Sequence, residues 1–199
     1  MIAAALAAVA AGVLVALAPN ARAAWSAGIY GFSLFMLFGI SAVYHVPMWQ
    51  PVPRMWLRRM DHSAIFILIA GTYTPICLLG LGGRGETILL VVWCGAGLGI
   101  LQAMLWPKAP KWTTAILYVA LGWVVVWEWA LVHALLGTLN EIFLAIGGLL
   151  YTGGAVVYAM HSPNPWPKAF GYHEIFHLMV IVAAGFHFAA ITRIVLASG

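Results

Sequence analysis

The chain has 199 residues, of which 64% are hydrophobic and only 7% charged. Soluble domains carry roughly 45–50% apolar and about 25% charged residues, so nine basic and five acidic side chains cannot clothe this surface against water, and lipid must solvate it. The net charge of +4 comes from basic residues scattered between apolar runs. No basic stripe interleaved with aromatics could track a phosphate backbone, so no nucleic-acid partner is expected.

A bilayer core about 30 Å thick takes roughly 20 residues of helix. Seven runs answer to that: Ile2–Ala18, Trp25–His45, Asp61–Leu81, Thr87–Trp106, Thr113–Val132, Ile142–Ala159 and Tyr172–Leu196. They are continuously apolar, which predicts helices and not the alternating strands of a barrel. The expected fold is all-α, one domain over residues 1–199, a seven-helix transmembrane bundle. The first run ends in Ala21-Arg22-Ala23, the shape of a signal-peptide cleavage site. However, no basic residue precedes it and it exceeds the usual apolar length, so a retained helix is expected.

Pro-Asn, Gly-Leu-Gly-Gly, Pro-Lys-Ala-Pro and Ser-Pro-Asn-Pro-Trp-Pro interrupt the runs as turn formers. The segment Arg54–Met60 mixes basic and apolar residues and is expected on the headgroups. Trp25, Trp49, Trp56, Trp106, Trp112 and Trp166 flank runs as interfacial anchors. Pro75 is expected to kink the third helix, with Thr72 and Thr74 covering freed carbonyls. The loops on the N-terminal side carry Arg54, Arg58, Arg59, Lys108, Lys111 and Lys168, against Arg22, Arg84 and Arg193 on the other. That asymmetry predicts a cytoplasmic N-terminus and an external C-terminus.

Ionisable residues inside such helices are costly, and each is a functional hypothesis. His45 ends the second run, Asp61 opens the third, and His173 and His177 open the seventh, all toward one membrane face. Ser41 and His45 are four residues apart, as are His173 and His177, so each pair shares a helix face. Three histidines with a position left for water describe a catalytic zinc site. Asp61, the sole aspartate, would hold or deprotonate that water, and Ser41 would donate a hydrogen bond to a substrate oxygen or to a ligand. His173-Glu174-Ile175-Phe176-His177 reads as H-E-x-x-H, which raises an intramembrane metalloprotease. No acidic residue follows Glu174 as a third ligand, so Glu174 is assigned to the helix N-terminus, behind Asp61 as base. His187 lies about 15 Å further along its helix and should bond a neighbouring helix. His133 is placed near Glu128 on the opposite face, and His161 in solvent. A bis-histidine haem protein is a further alternative. A retinal protein is disfavoured because Lys108, Lys111 and Lys168 fall in loops.

Ser41-x3-His45, Asp61-His62-Ser63-Ala64-Ile65-Phe66 running into Ala70-Gly71-Thr72-Tyr73-Thr74-Pro75, and His173-x3-His177 together resemble the hemolysin III proteins. These are the bacterial branch of the progestin and adipoQ receptor family, which includes the adiponectin receptors. The resemblance implies a bacterial inner-membrane protein with Zn2+ on His45, His173 and His177, Asp61 near a metal-activated water, and Ser41 close by. It also implies kinship with membrane hydrolases such as alkaline ceramidases, and a link to membrane-lipid homeostasis. The leading expectation is therefore a zinc-dependent hydrolase of a lipid amide or ester. The alternative is a non-enzymatic sensor or cytolytic factor with a structural zinc.

Overall fold

The computed structural model describes residues 1–166 and 169–199, so Lys168, counted above for orientation, lies outside the described residues. Eight α-helices follow in chain order: α1 Ile2–Ala16, α2 Ala21–His45, α3 Pro51–Pro75, α4 Gly83–Leu105, α5 Lys111–Gly122, α6 Trp129–Leu136, α7 Thr138–Met160 and α8 Tyr172–Leu196. A π-helical turn, Ile76–Gly80, continues α3, and a 3-10 turn, Val124–Glu128, joins α5 to α6. No strand of a sheet occurs among the described residues, and one isolated bridge joins Trp166 and Phe170.

Among the described residues six spans are long and apolar enough to cross a membrane: α2, α3 with its π turn, α4, the α5–α6 rod Lys111–Leu136, α7 and α8. This is a multi-pass membrane protein. The first apolar run forms α1, apolar but only 15 residues long. The expected seven spans thus become six full-length ones and a shorter helix.

Two further expectations are revised. The third helix does not begin at Asp61, because Arg54–Met60 forms its opening turns. Gln50 is extended as the cap and Pro51 takes the first position, where a missing N–H costs nothing and φ is already helical. The fifth run is not one α-helix. It narrows into 3-10 geometry after Gly122 and restarts at Trp129. Gly137, at φ 77°, then reverses the chain directly into α7.

The chain divides into two compact units, Met1–Pro107 with Ile191–Gly199, and Lys108–Ala190. In the first, α1, α2, α3 and α4 pack in sequence order. Small residues allow this: a Cβ on Gly31 would collide with Ala11 of α1, and one on Gly71 with the Ser33 side chain of α2. Close backbone approach at small residues is how apolar helices gain contact where lipid gives no hydrophobic drive. The chain end is tied back here, where Asn20 Nδ2 donates to the Ser198 carbonyl at 2.8 Å. In the second unit α7 packs along α5 and α6.

Four buried hydroxyls are satisfied within their own helices. Ser26 donates to the Arg22 carbonyl, Ser33 to Tyr30, Thr72 to Leu68 and Thr74 to Ala70, all at 2.7–2.9 Å. Such back-bonding suits a medium without water. The two threonines precede Pro75, yet the carbonyl a proline there deprives is that of Gly71, four residues back. Instead of being covered by a threonine, the defect is followed by wider winding over Ile76–Gly80.

Candidate metal centre

The first unit holds one half of the predicted constellation. Ser41 and His45 lie one turn apart at the end of α2. That end is fixed by Trp49, whose indole N–H donates to the Val43 carbonyl at 2.7 Å. Pro47, four residues after Val43, has no N–H to offer that carbonyl, so the indole takes the missing place. Trp49 is thus a cap. Asp61 lies across from this end on α3, its Oδ2 3.9 Å from His45 Nε2. Its side chain is 16% exposed, that of His45 33%. Ser41 hydrogen-bonds the Asp61 carboxylate. The expected donor role of Ser41 therefore has a definite partner within the protein, one the spacing of residues did not name.

The second unit holds the other half. His173 and His177 occupy the first turns of α8, and their Nε2 atoms face each other at 3.1 Å. Two nitrogens on one tetrahedral zinc, each at roughly 2.0–2.1 Å, stand about 3.3 Å apart, so this pair is already near chelating separation. The rings meet edge to face at 4.6 Å between centroids. Tyr158 and Phe176 lie beside His173, each 6.3 Å from it between ring centroids. Apolar rings around a ligand limit solvent access, one of the levers by which surroundings tune a metal site.

Glu174 points elsewhere. It is exposed, and its Oε2 accepts the Gly171 backbone N–H at 2.8 Å. This is the acidic half of a capping box, satisfying one of the orphan donors at a helix start. Asn164 Oδ1 accepts the next N–H, from Tyr172, at 2.9 Å. The helix-terminus assignment of Glu174 accounts for its position.

The remaining histidines separate cleanly. His187 Nε2 lies 3.3 Å from the Leu144 carbonyl of α7, the neighbouring-helix bond expected of it. Gly147 makes room for it, since a Cβ there would overlap the imidazole. His161 is exposed in the turn after α7. His133 pairs at 2.7 Å with Glu141 of α7, a partner the sequence reading did not name. Sequence reasoning also missed Lys111. It opens α5 instead of lying in a loop, and its ammonium donates to the Tyr172 hydroxyl at 3.2 Å.

Residues 1–188 match the family described as haemolysin-III related. The chain belongs to the haemolysin-III family. Among its haemolysin-III relatives, "Hemolysin-3 homolog" of Bacillus subtilis is 33% identical over 172 residues, covering 84% of this chain and 78% of the relative. "Hemolysin-3" of Bacillus cereus is 31% identical over 169 residues, with 84% and 74% covered. The Drosophila melanogaster adiponectin receptor protein is 27% identical over 189 residues, with 83% and 41% covered. These matches bear out the resemblance drawn from the motifs of the second, third and seventh runs.

Proposed function

We propose that this haemolysin-III protein holds one zinc ion on His45, His173 and His177 and hydrolyses a lipid amide or ester in the membrane. The observation that carries the reading is the His173–His177 pair, two Nε2 atoms 3.1 Å apart, with the rings of Tyr158 and Phe176 beside His173. Helix alternation supplies the third ligand. Four spans, α3, α4, the α5–α6 rod and α7, separate the end of α2 from the start of α8 in the chain, so both fall on one membrane face whether or not α1 crosses. The Lys/Arg asymmetry assigns that face to the cytoplasm and the C-terminus to the outside.

Zinc in such a position lowers the pKa of a water toward about 7 and polarises a carbonyl. The protein's own part is the handling of the proton. Asp61, little exposed and beside His45, is placed to accept it. Ser41 keeps the carboxylate directed by its hydrogen bond. A substrate carbonyl from the lipid phase would reach such a site at the headgroup level, where amide and ester linkages of membrane lipids lie.

The test is metal analysis of purified protein, paired with release of fatty acid from a ceramide-like amide and from ester lipids. About one zinc per chain with release of fatty acid supports the hydrolase. Protein that stays metal-free after zinc supplementation overturns it. The names of the Bacillus relatives favour a second reading, a cytolytic factor with structural zinc. Full zinc content without hydrolysis of any lipid, together with erythrocyte lysis by the added protein, would select that reading.

A further inference from the structure

Lys111 is the first residue of α5, and three contacts within the second unit hold its ammonium. It donates to the Tyr172 hydroxyl at 3.2 Å, and it lies 4.6 Å from the centroid of Tyr158 and 5.1 Å from that of Tyr172. One neutral hydrogen bond and two ring faces fix a cation without neutralising it. Among the described residues no carboxylate pairs with it. A surface lysine ordinarily keeps its rotamer freedom and surrenders it on binding. Here that cost is already met by the rings, which leaves a preorganised positive charge.

The surroundings indicate the occupant. Trp112, the next residue, is 60% exposed, and Ile116, one turn further along the same face of α5, is 58% exposed. An ammonium at the head of a helix, followed by an exposed apolar stripe, has the polarity of a phospholipid: a phosphate above and acyl chains alongside. We propose that Lys111, fixed between Tyr158 and Tyr172, binds the phosphate of an anionic membrane phospholipid whose chains lie along Trp112 and Ile116. The same two rings also approach His173, with centroids 6.3 and 6.2 Å away, so the bound headgroup sits beside the histidine pair. The inference goes beyond the zinc reading, and its readout is lipid binding, so the two fail separately.

The experiment measures thermal unfolding of the detergent-solubilised full chain with phosphatidylglycerol, phosphatidylcholine or inorganic phosphate, while zinc content is followed alongside. Phosphatidylglycerol should raise the midpoint in a saturable way, and phosphatidylcholine much less. Lys111→Gln should weaken the phosphatidylglycerol affinity about fivefold, as expected for one basic residue at an anionic surface, and Lys111→Arg should retain it. Tyr172→Phe removes the tether and keeps the charge and the ring, so it should keep most of the shift. An undiminished phosphatidylglycerol shift in Lys111→Gln overturns the proposal. So does an equal shift from inorganic phosphate, or a loss in Tyr172→Phe as large as in Lys111→Gln, which would make Lys111 a tether between α5 and α8. If Lys111→Gln does not fold, loss of the phosphatidylglycerol shift in Lys111→Arg or in Tyr172→Phe overturns the proposal, and retention in both supports it.

Discussion

His173 and His177 present their Nε2 atoms to each other at 3.1 Å across one turn of α8. The separation is within a few tenths of an ångström of what one tetrahedral ion requires. Side chains at i and i+4 can meet, but nothing obliges two imidazoles to turn the same nitrogen inward. This convergence is the basis of the metal predictions.

Each of His45→Ala, His173→Ala and His177→Ala should lower zinc from about one per chain to near zero, since a three-histidine site leaves only two ligands after any one loss. Elemental analysis of purified protein measures this. Retention of full zinc by all three variants would refute the ligand set.

Asp61→Asn should keep the zinc and lose the reaction. Asparagine has nearly the same shape and can still accept the Ser41 hydrogen bond, but it takes no proton as a base. A fall of roughly 10²–10⁴-fold in rate is expected at unchanged zinc content. Ser41→Ala should lower the rate less than Asp61→Asn, because it frees the carboxylate without removing it. Glu174→Gln should leave the rate close to wild type, as Glu174 caps α8 through the Gly171 N–H. An inactive Glu174→Gln beside an active Asp61→Asn would restore the protease-like reading of H-E-x-x-H.

Gly71→Ala should destabilise the first unit. Its new Cβ would overlap the Ser33 side chain, which is buried and already bonded to the Tyr30 carbonyl. Overpacking of this kind costs about 1–3 kcal/mol, visible as a lower thermal midpoint in detergent. Because α3 would be pushed from α2, the Ser41–Asp61 contact should loosen too, and activity should fall with the zinc retained. A midpoint equal to wild type would show that the two helices separate freely there.

Reporter fusions should place Arg54–Arg59 in the cytoplasm and Gly199 outside, from the Lys/Arg asymmetry. A cytoplasmic C-terminus would reverse the face that carries His45 and Asp61 while leaving them on one face together.

The amino-acid sequence alone determined a great deal. Its apolar runs, separated by proline and glycine clusters, located the six long apolar helices and the shorter first one, because lipid demands long helices and turn formers end them. It singled out Ser41, His45, Asp61, His173 and His177, because ionisable groups in such helices are rare. It also assigned His187 to a neighbouring helix, and Glu174 to a helix start. Tertiary structure alone decided the partners. Ser41 meets Asp61, His133 meets Glu141 of α7, Trp49 caps the carbonyl that Pro47 leaves open, and Lys111 enters the rings of Tyr158 and Tyr172. The physical reason is the reach of helical periodicity. Spacing fixes which residues share one face of one helix. Which residue of another helix stands opposite depends on packing depth and rotation, and here small residues such as Gly31, Gly71 and Gly147 set those through the contacts their missing Cβ atoms allow.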